Sequence, residues 1–111
     1  MSDTNCIFCA IIAKKIPATI IAENDAVIVV KDIAPKAPIH YLVIPKVHVA
    51  DCMDVKMPEL SASLFGMIQQ VARQLPGDQT FRLLVNNGAG AGQRVFHLHI
   101  HVLAGKAMSD F

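Results

Sequence analysis

Three of the five histidines in this sequence alternate with apolar residues in the run His97-Leu98-His99-Ile100-His101-Val102. On an extended chain successive side chains point to opposite faces, so the three imidazoles would share one face while Leu98, Ile100 and Val102 line the other. Setting titratable rings side by side costs free energy unless each finds a partner, and a strand that only packs would not be built this way. Neutral imidazole is a useful nucleophile near neutral pH, and its attack on phosphorus gives a phosphoramidate that water later cleaves. Just upstream, Asn87-Gly88-Ala89-Gly90-Ala91-Gly92 is a glycine-rich turn leading into Gln93 and Arg94. Backbone N–H groups approach phosphate oxygens most readily where side chains are absent. The turn follows neither the Walker pattern nor a G-x-G-x-x-G that opens a helix, so it points to phosphate only together with the histidines.

Cys6-Ile7-Phe8-Cys9 is the other chemically suggestive spacing, and two readings stay open: a metal half-site, or two small apolar residues on a helix. Cys52 makes the cysteine count three, and Met1-Ser2-Asp3-Thr4-Asn5 lacks the basic and long apolar regions of a secretory leader. Reduced thiols in the cytoplasm are therefore expected.

These residues need elements to hold them. After Asn5, a capable N-cap, apolar positions at Ile7, Phe8, Ile11 and Ile12 predict a short helix from Cys6 to Lys14, ended by Ile16-Pro17. Thr19–Glu23 and Val27–Lys31 read as strands joined in a hairpin at Asn24-Asp25. The proline-bearing loop Ala34–Pro38 delivers the chain to a third strand, His40–Pro45. From Pro58, apolar residues at Leu60, Leu64, Met67, Ile68, Val71 and Leu75 form one helical stripe that Pro76-Gly77 stops. Phe81–Asn86 and His97–Leu103 complete the set as fourth and fifth strands. Connections too short or irregular for repeated βαβ units favour an α+β domain with an antiparallel sheet.

A chain of 111 residues with 53% hydrophobic and 17% charged residues is expected to form one domain, residues 1–111, with one core and no disordered tract. Its net charge of +1 offers no footprint for nucleic acid, and no apolar run nears the roughly 20 residues of a membrane span.

With these residues in place, the sequence resembles the histidine triad (HIT) family, and within it the branch of histidine triad nucleotide-binding proteins. The resemblance rests on His97-Leu98-His99-Ile100-His101-Val102-Leu103. It extends through Ile7-Phe8, Ile16-Pro17-Ala18, Lys31 to His40, Leu42 to Lys46 and Gly92-Gln93, in the expected order. It implies a HIT-like fold, a five-stranded antiparallel sheet with two helices. It also implies nucleotidyl transfer at the α-phosphorus of a purine nucleoside phosphoramidate or related ester. In that case His99 is the nucleophile, His101 binds the phosphate and His40 completes the cluster. Asp32 accepts the ribose hydroxyls, Asn86, Gly92 and Gln93 surround the phosphate, and Phe8, Val30, Ile33 and Leu42 line the base pocket. For these last four, ordinary core packing is the competing expectation.

Metal-carrying relatives suggest His48 and His97 as partners of Cys6 and Cys9 in a closed structural zinc site, two thiolates and two neutral imidazoles. A homodimer is expected on two grounds: apolar Phe65 and Ala72 lie beside the main stripe of the long helix, and the resembling family pairs through that helix and the next strand. The chain departs from close relatives at Arg94, where they usually place Ser, Thr or an acid, and it stops at Phe111 without their longer tail. Three functions are thereby set against one another. They are a purine nucleoside phosphoramidase, a dinucleoside polyphosphate hydrolase, for which Arg94 would offer a cation, and a nucleotide-binding interaction protein with incidental turnover.

Overall fold

The computed structural model describes residues 5–110; the N-terminal residues on which the absence of a leader was read, Met1 to Thr4, lie outside the described residues. The elements in chain order are α1 (Ile7–Ile12), β1 (Ile20–Glu23), β2 (Val27–Lys31), β3 (Ile39–Pro45), α2 (Pro58–Ala72), β4 (Phe81–Leu84) and β5 (Ile100–Ala104). All five strands pair antiparallel in one sheet, in the order β1-β2-β3-β5-β4. The expected α+β architecture is the one observed.

Each face of the sheet has its own apolar cluster because side chains alternate along the strands. Val27, Val29 and Val43 pack with Leu64, Met67, Ile68 and Val71 of α2, and Leu98, Ile100 and Val102 join them. On the opposite face Ile28, Val30, Leu42 and Ile44 pack with Cys6 and Phe8 at α1. Covering both faces makes β2 apolar at every position from Val27 to Val30, all fully or almost fully buried. Full burial of each such aliphatic side chain contributes roughly 1.5–3 kcal/mol, so a charge at Val29 would disrupt the middle of the sheet. With Leu98, Ile100 and Val102 turned to α2, the three alternating histidines face the α1 side.

Several boundaries differ from expectation, those of α1, α2, β4 and β5 for local reasons. The cap of α1 is Cys6, not Asn5: its sulfur accepts the Cys9 N–H at 3.3 Å, and the helix ends at Ile12 before Lys14 turns to a positive φ. Beyond Ala72 the chain tightens, Gln74 and Leu75 donating to Val71 and Ala72 three residues back, yet Leu75 remains buried on the stripe. β4 stops at Leu84, where the pairing Leu84–His101 ends its ladder with β5. Regular strand begins at Ile100, not His97. Extending the Val43–Ile100 register would set Pro45 opposite Leu98, and proline has no N–H to offer. Leu98 N–H instead donates to Val49 O at 2.8 Å, and the chain stays extended enough to keep the alternation of faces.

Candidate active site and metal cluster

His40 and His101 come from adjacent strands. His101 stands opposite Leu42 in the β3–β5 ladder, which makes His40 its diagonal neighbour on the same face. The Lys36 N–H donates to His40 Nδ1 at 3.0 Å, so the His40 proton resides on Nε2. That N–H donates to His101 Nδ1 at 2.8 Å, with Asp32 Oδ2 3.5 Å from the same nitrogen. His101 therefore carries its own proton on Nε2. Burial foremost, then the neighbouring His99 and His40, pushes the pKa of His101 down to about 4, and burial also lowers that of His40. Both rings are neutral at pH 7.

His99 follows the same logic. Its Nδ1–H donates to the carbonyl oxygen of His97 at 2.8 Å, so in the neutral ring the unshared pair is on Nε2. The ring is gripped edge-on by Phe8, centroids 5.0 Å apart, and stands 5.1 Å from the ring of His101. A neutral imidazole with one nitrogen anchored and the other open is the form a nucleophile requires. His99 and His101 open on a cavity of about 360 Å³ whose walls also include Asp32, Lys36, His40, Asn86, Gly92 and Arg94.

The other residues named from the sequence divide. Asp32 lines the cavity, but its Oδ1 already accepts Ala34 N–H at 2.7 Å; the remaining lone pairs of both oxygens are what a diol would meet. Asn86 and Gly92 line the same space, and Gly92 holds φ +100°, a conformation suited to glycine. Gln93 does not line it. Its buried carboxamide accepts Gly88 N–H at 2.8 Å and donates to Ala50 O and Val95 O, so it braces the glycine-rich turn. The amides of Ala91, Gly92 and Gln93 also bond within that turn, to Ala89 and Gly88 carbonyls.

Phe8, Val30 and Leu42 are packed into the apolar cluster beneath α1, whereas Ile33 is 96% exposed. The four do not form one wall. Lys36 was missed: its amide sets the tautomer of His40 and the residue lines the cavity, a role nothing in the Pro-rich loop sequence signals.

Behind His99 lies the second cluster. His97, fully buried, donates Nε2–H to Pro45 O at 2.8 Å, which frees Nδ1 as an acceptor. That nitrogen is 3.3 Å from Cys6 Sγ, 3.6 Å from Cys9 Sγ and 3.1 Å from His48 Nδ1, while Cys9 Sγ is 3.3 Å from His48 Nδ1. Bonds of about 2.0–2.3 Å at tetrahedral angles place donor atoms about 3.3–3.8 Å apart, so these four atoms fit a zinc ion. Two sulfurs and two imidazole nitrogens are also the donor set zinc prefers, and the spacing Cys-x-x-Cys at the start of α1 brings both sulfurs inward.

A five-stranded antiparallel sheet flanked by two helices, with alternating histidines facing a cavity, defines a histidine-triad domain. Residues 13–108 match the HIT domain, and the chain belongs to the HIT family. It is 43% identical over 102 residues to Protein HitA of Neisseria gonorrhoeae, covering 89% of this chain and 94% of that protein. It is 36% identical over 107 residues to a 14 kDa zinc-binding protein of Brassica juncea, covering 93% and 95% of the two chains. Among solved structures, a HIT family hydrolase from Clostridium thermocellum superposes with a TM-score of 0.93 at 39% identity, covering 99% of this chain and 98% of the other.

Proposed function

We propose that this protein is a nucleotide hydrolase or transferase of the purine nucleoside phosphoramidase type, acting at the α-phosphorus through His99. The observation that carries the reading is the bond from His99 Nδ1 to His97 O, which assigns the free pair of the neutral ring to Nε2, on a cavity His99 shares with His101, His40 and Asp32. Membership of the HIT family and the likeness to a HIT family hydrolase support it.

In the first step the Nε2 pair of His99 forms a bond to phosphorus, and the phosphorus–nitrogen bond of the substrate breaks with its pair on the departing nitrogen. That nitrogen takes a proton from solvent and leaves as an amine. The ring, now positively charged, is stabilised by its Nδ1–H on the His97 carbonyl. In the second step a water oxygen displaces Nε2 and returns a proton to solvent, releasing the nucleoside monophosphate. His101 presents Nε2–H to the phosphate oxygens, and Asp32 accepts the ribose hydroxyls. Exposed Ile33 offers an apolar surface to the base, a contact that discriminates bases only modestly. The test is turnover of a fluorescent adenosine phosphoramidate, with trapping of nucleotidylated protein by mass spectrometry.

Cys6, Cys9, His48 and His97 hold a structural zinc ion in this reading, supported by the donor spacing and by the relative named as zinc-binding. When bound, zinc supplies a rigid link between α1 and the segment that carries His99. The protein works as a homodimer: Phe65 of α2 and Phe81, Leu84 and Val85 at the β4 edge are apolar and 38% to 55% exposed. Ala72, named with Phe65 from the sequence, is instead buried within the chain against Leu75 and Ala104. Free Cys6, Cys9 and Cys52 suit the reducing cytoplasm, and among the described residues no helix is long and apolar enough to cross a membrane.

A further inference from the structure

Arg94 lines two neighbouring cavities. The residue lines the space of about 360 Å³ that His99 also lines, and it lines a neighbouring space of about 270 Å³ walled by Asn5, Cys6, Ile7, Val95 and Phe96. Val95 is likewise common to both, so the two spaces are neighbours on the side of His99 next to α1.

The residue is exposed, and among the described residues no hydrogen bond or ion pair engages its guanidinium. A structural arginine normally spends its five donors on carboxylates or carbonyls, as Arg82 does on Ser109 O at 2.6 Å. The backbone beneath Arg94 is nevertheless well anchored, because the preceding Gln93 carboxamide is tied to Gly88, Ala50 and Val95. The cation is thus presented from a braced position rather than from a loose loop.

The charges in the walls indicate what it meets. The first cavity pairs one carboxylate, Asp32, with two cations, Lys36 and Arg94. Asp32 is turned toward His40 and Ala34. Among the described residues the second cavity has no acidic side chain, and the Cys6 sulfur in its wall turns inward to His97 Nδ1. A substrate whose nucleoside monophosphate half fills the first cavity would extend its leaving group into the second, past a cation with no partner among the described residues.

Resting on the phosphoramidase reading, we propose that Arg94 selects substrates whose leaving group carries its own anion, a carboxylate or a phosphate a few bonds beyond the scissile nitrogen. The guanidinium fork matches either group with two parallel hydrogen bonds. Arg94 sets specificity here; the bond-making chemistry remains with His99.

Matched pairs of adenosine 5′-phosphoramidates test this on the full-length protein. N-linked glycine is compared with N-linked glycinamide for the carboxylate, and N-linked aminoethyl phosphate with N-linked ethanolamine for the phosphate. Wild type is expected to favour the anionic member of at least one pair, and the pair that responds identifies which anion is read. Arg94→Gln should lower the ratio of kcat/KM, anionic over neutral, by about tenfold or more, and Arg94→Glu should invert the preference. Arg73→Gln removes the same charge from the end of α2, outside both cavities, and should leave the ratio at its wild-type value. Turnover with a ratio that Arg94→Gln leaves within twofold of wild type overturns the proposal alone. Failure of wild type to cleave any of the four compounds overturns the phosphoramidase reading, and the proposal with it.

Discussion

The Nδ1–H of His99 donates to the carbonyl oxygen of His97 at 2.8 Å, and the ring of that same His97 points its own Nδ1 at two cysteine sulfurs and His48. One residue therefore joins the two clusters. Its backbone carbonyl holds the His99 ring, and its side chain belongs to the Cys6, Cys9 and His48 cluster. The two clusters are linked through a two-residue step of chain.

Removing the nucleophile should separate turnover from binding. His99→Ala is expected to reduce kcat for an adenosine phosphoramidate by about 10³-fold or more while AMP affinity, measured by calorimetry, stays within a few-fold. Residual activity within tenfold of wild type would exclude His99 as the nucleophile.

Asp32→Asn tests ribose recognition. Loss of a charged acceptor costs about 1.5–3 kcal/mol, or roughly 10- to 100-fold in Kd, and the loss should appear for AMP but not for its 2′,3′-dideoxy analogue. Equal weakening of both ligands would assign Asp32 instead to holding the loop through Ala34 N–H.

The depressed pKa of His101, about 4, has a sign that thermal denaturation reads directly. The unfolded chain binds a proton at about pH 6.5 that the folded site refuses until about 4. This group's contribution to stability is thus complete above pH 6.5 and is lost as pH falls toward 4. The melting temperature should drop across that window, and His101→Gln, facing the same His99, His40, Asp32 and Lys36, should flatten the drop. An identical slope in the variant would show that other groups set the acid limb.

Zinc content is decided by elemental analysis of protein purified without chelator. Near-stoichiometric zinc is expected, and Cys9→Ser should lose it together with several degrees of melting temperature. Metal-free wild-type protein that is equally stable with and without added zinc would show that the four donor atoms merely pack.

Sedimentation equilibrium at micromolar concentration should report twice the 12.0 kDa chain mass. Phe65→Glu, a charge on the exposed face of α2, should shift the population toward monomer. A wild-type monomer under these conditions would contradict pairing through this face.

Much of this protein was legible without coordinates because periodicity is a local property of the chain. Alternation in His97–Val102 put three imidazoles on one face and three apolar residues on the other. The Leu60-to-Leu75 stripe marked the buried side of α2, and the β-branched run Val27–Lys31 is bounded in the sheet as it was in the sequence. What only the tertiary structure decided is which nitrogen of each histidine bears its proton. Those protons are placed by partners such as Pro45 O for His97 and Lys36 N–H for His40, and pattern alone cannot rank which of the many carbonyls and amides will arrive. For the same reason Gln93 passed for a phosphate contact, although its partner Ala50 lies 43 residues away. Cys6 could not be recognised as the cap of α1, nor Arg94 as a wall of two neighbouring cavities, until folding had set α1 against the end of the glycine-rich turn. Side-chain type and spacing assign a face; the direction of each donor on that face is settled by hydrogen-bond partners that only the closed sheet brings within reach.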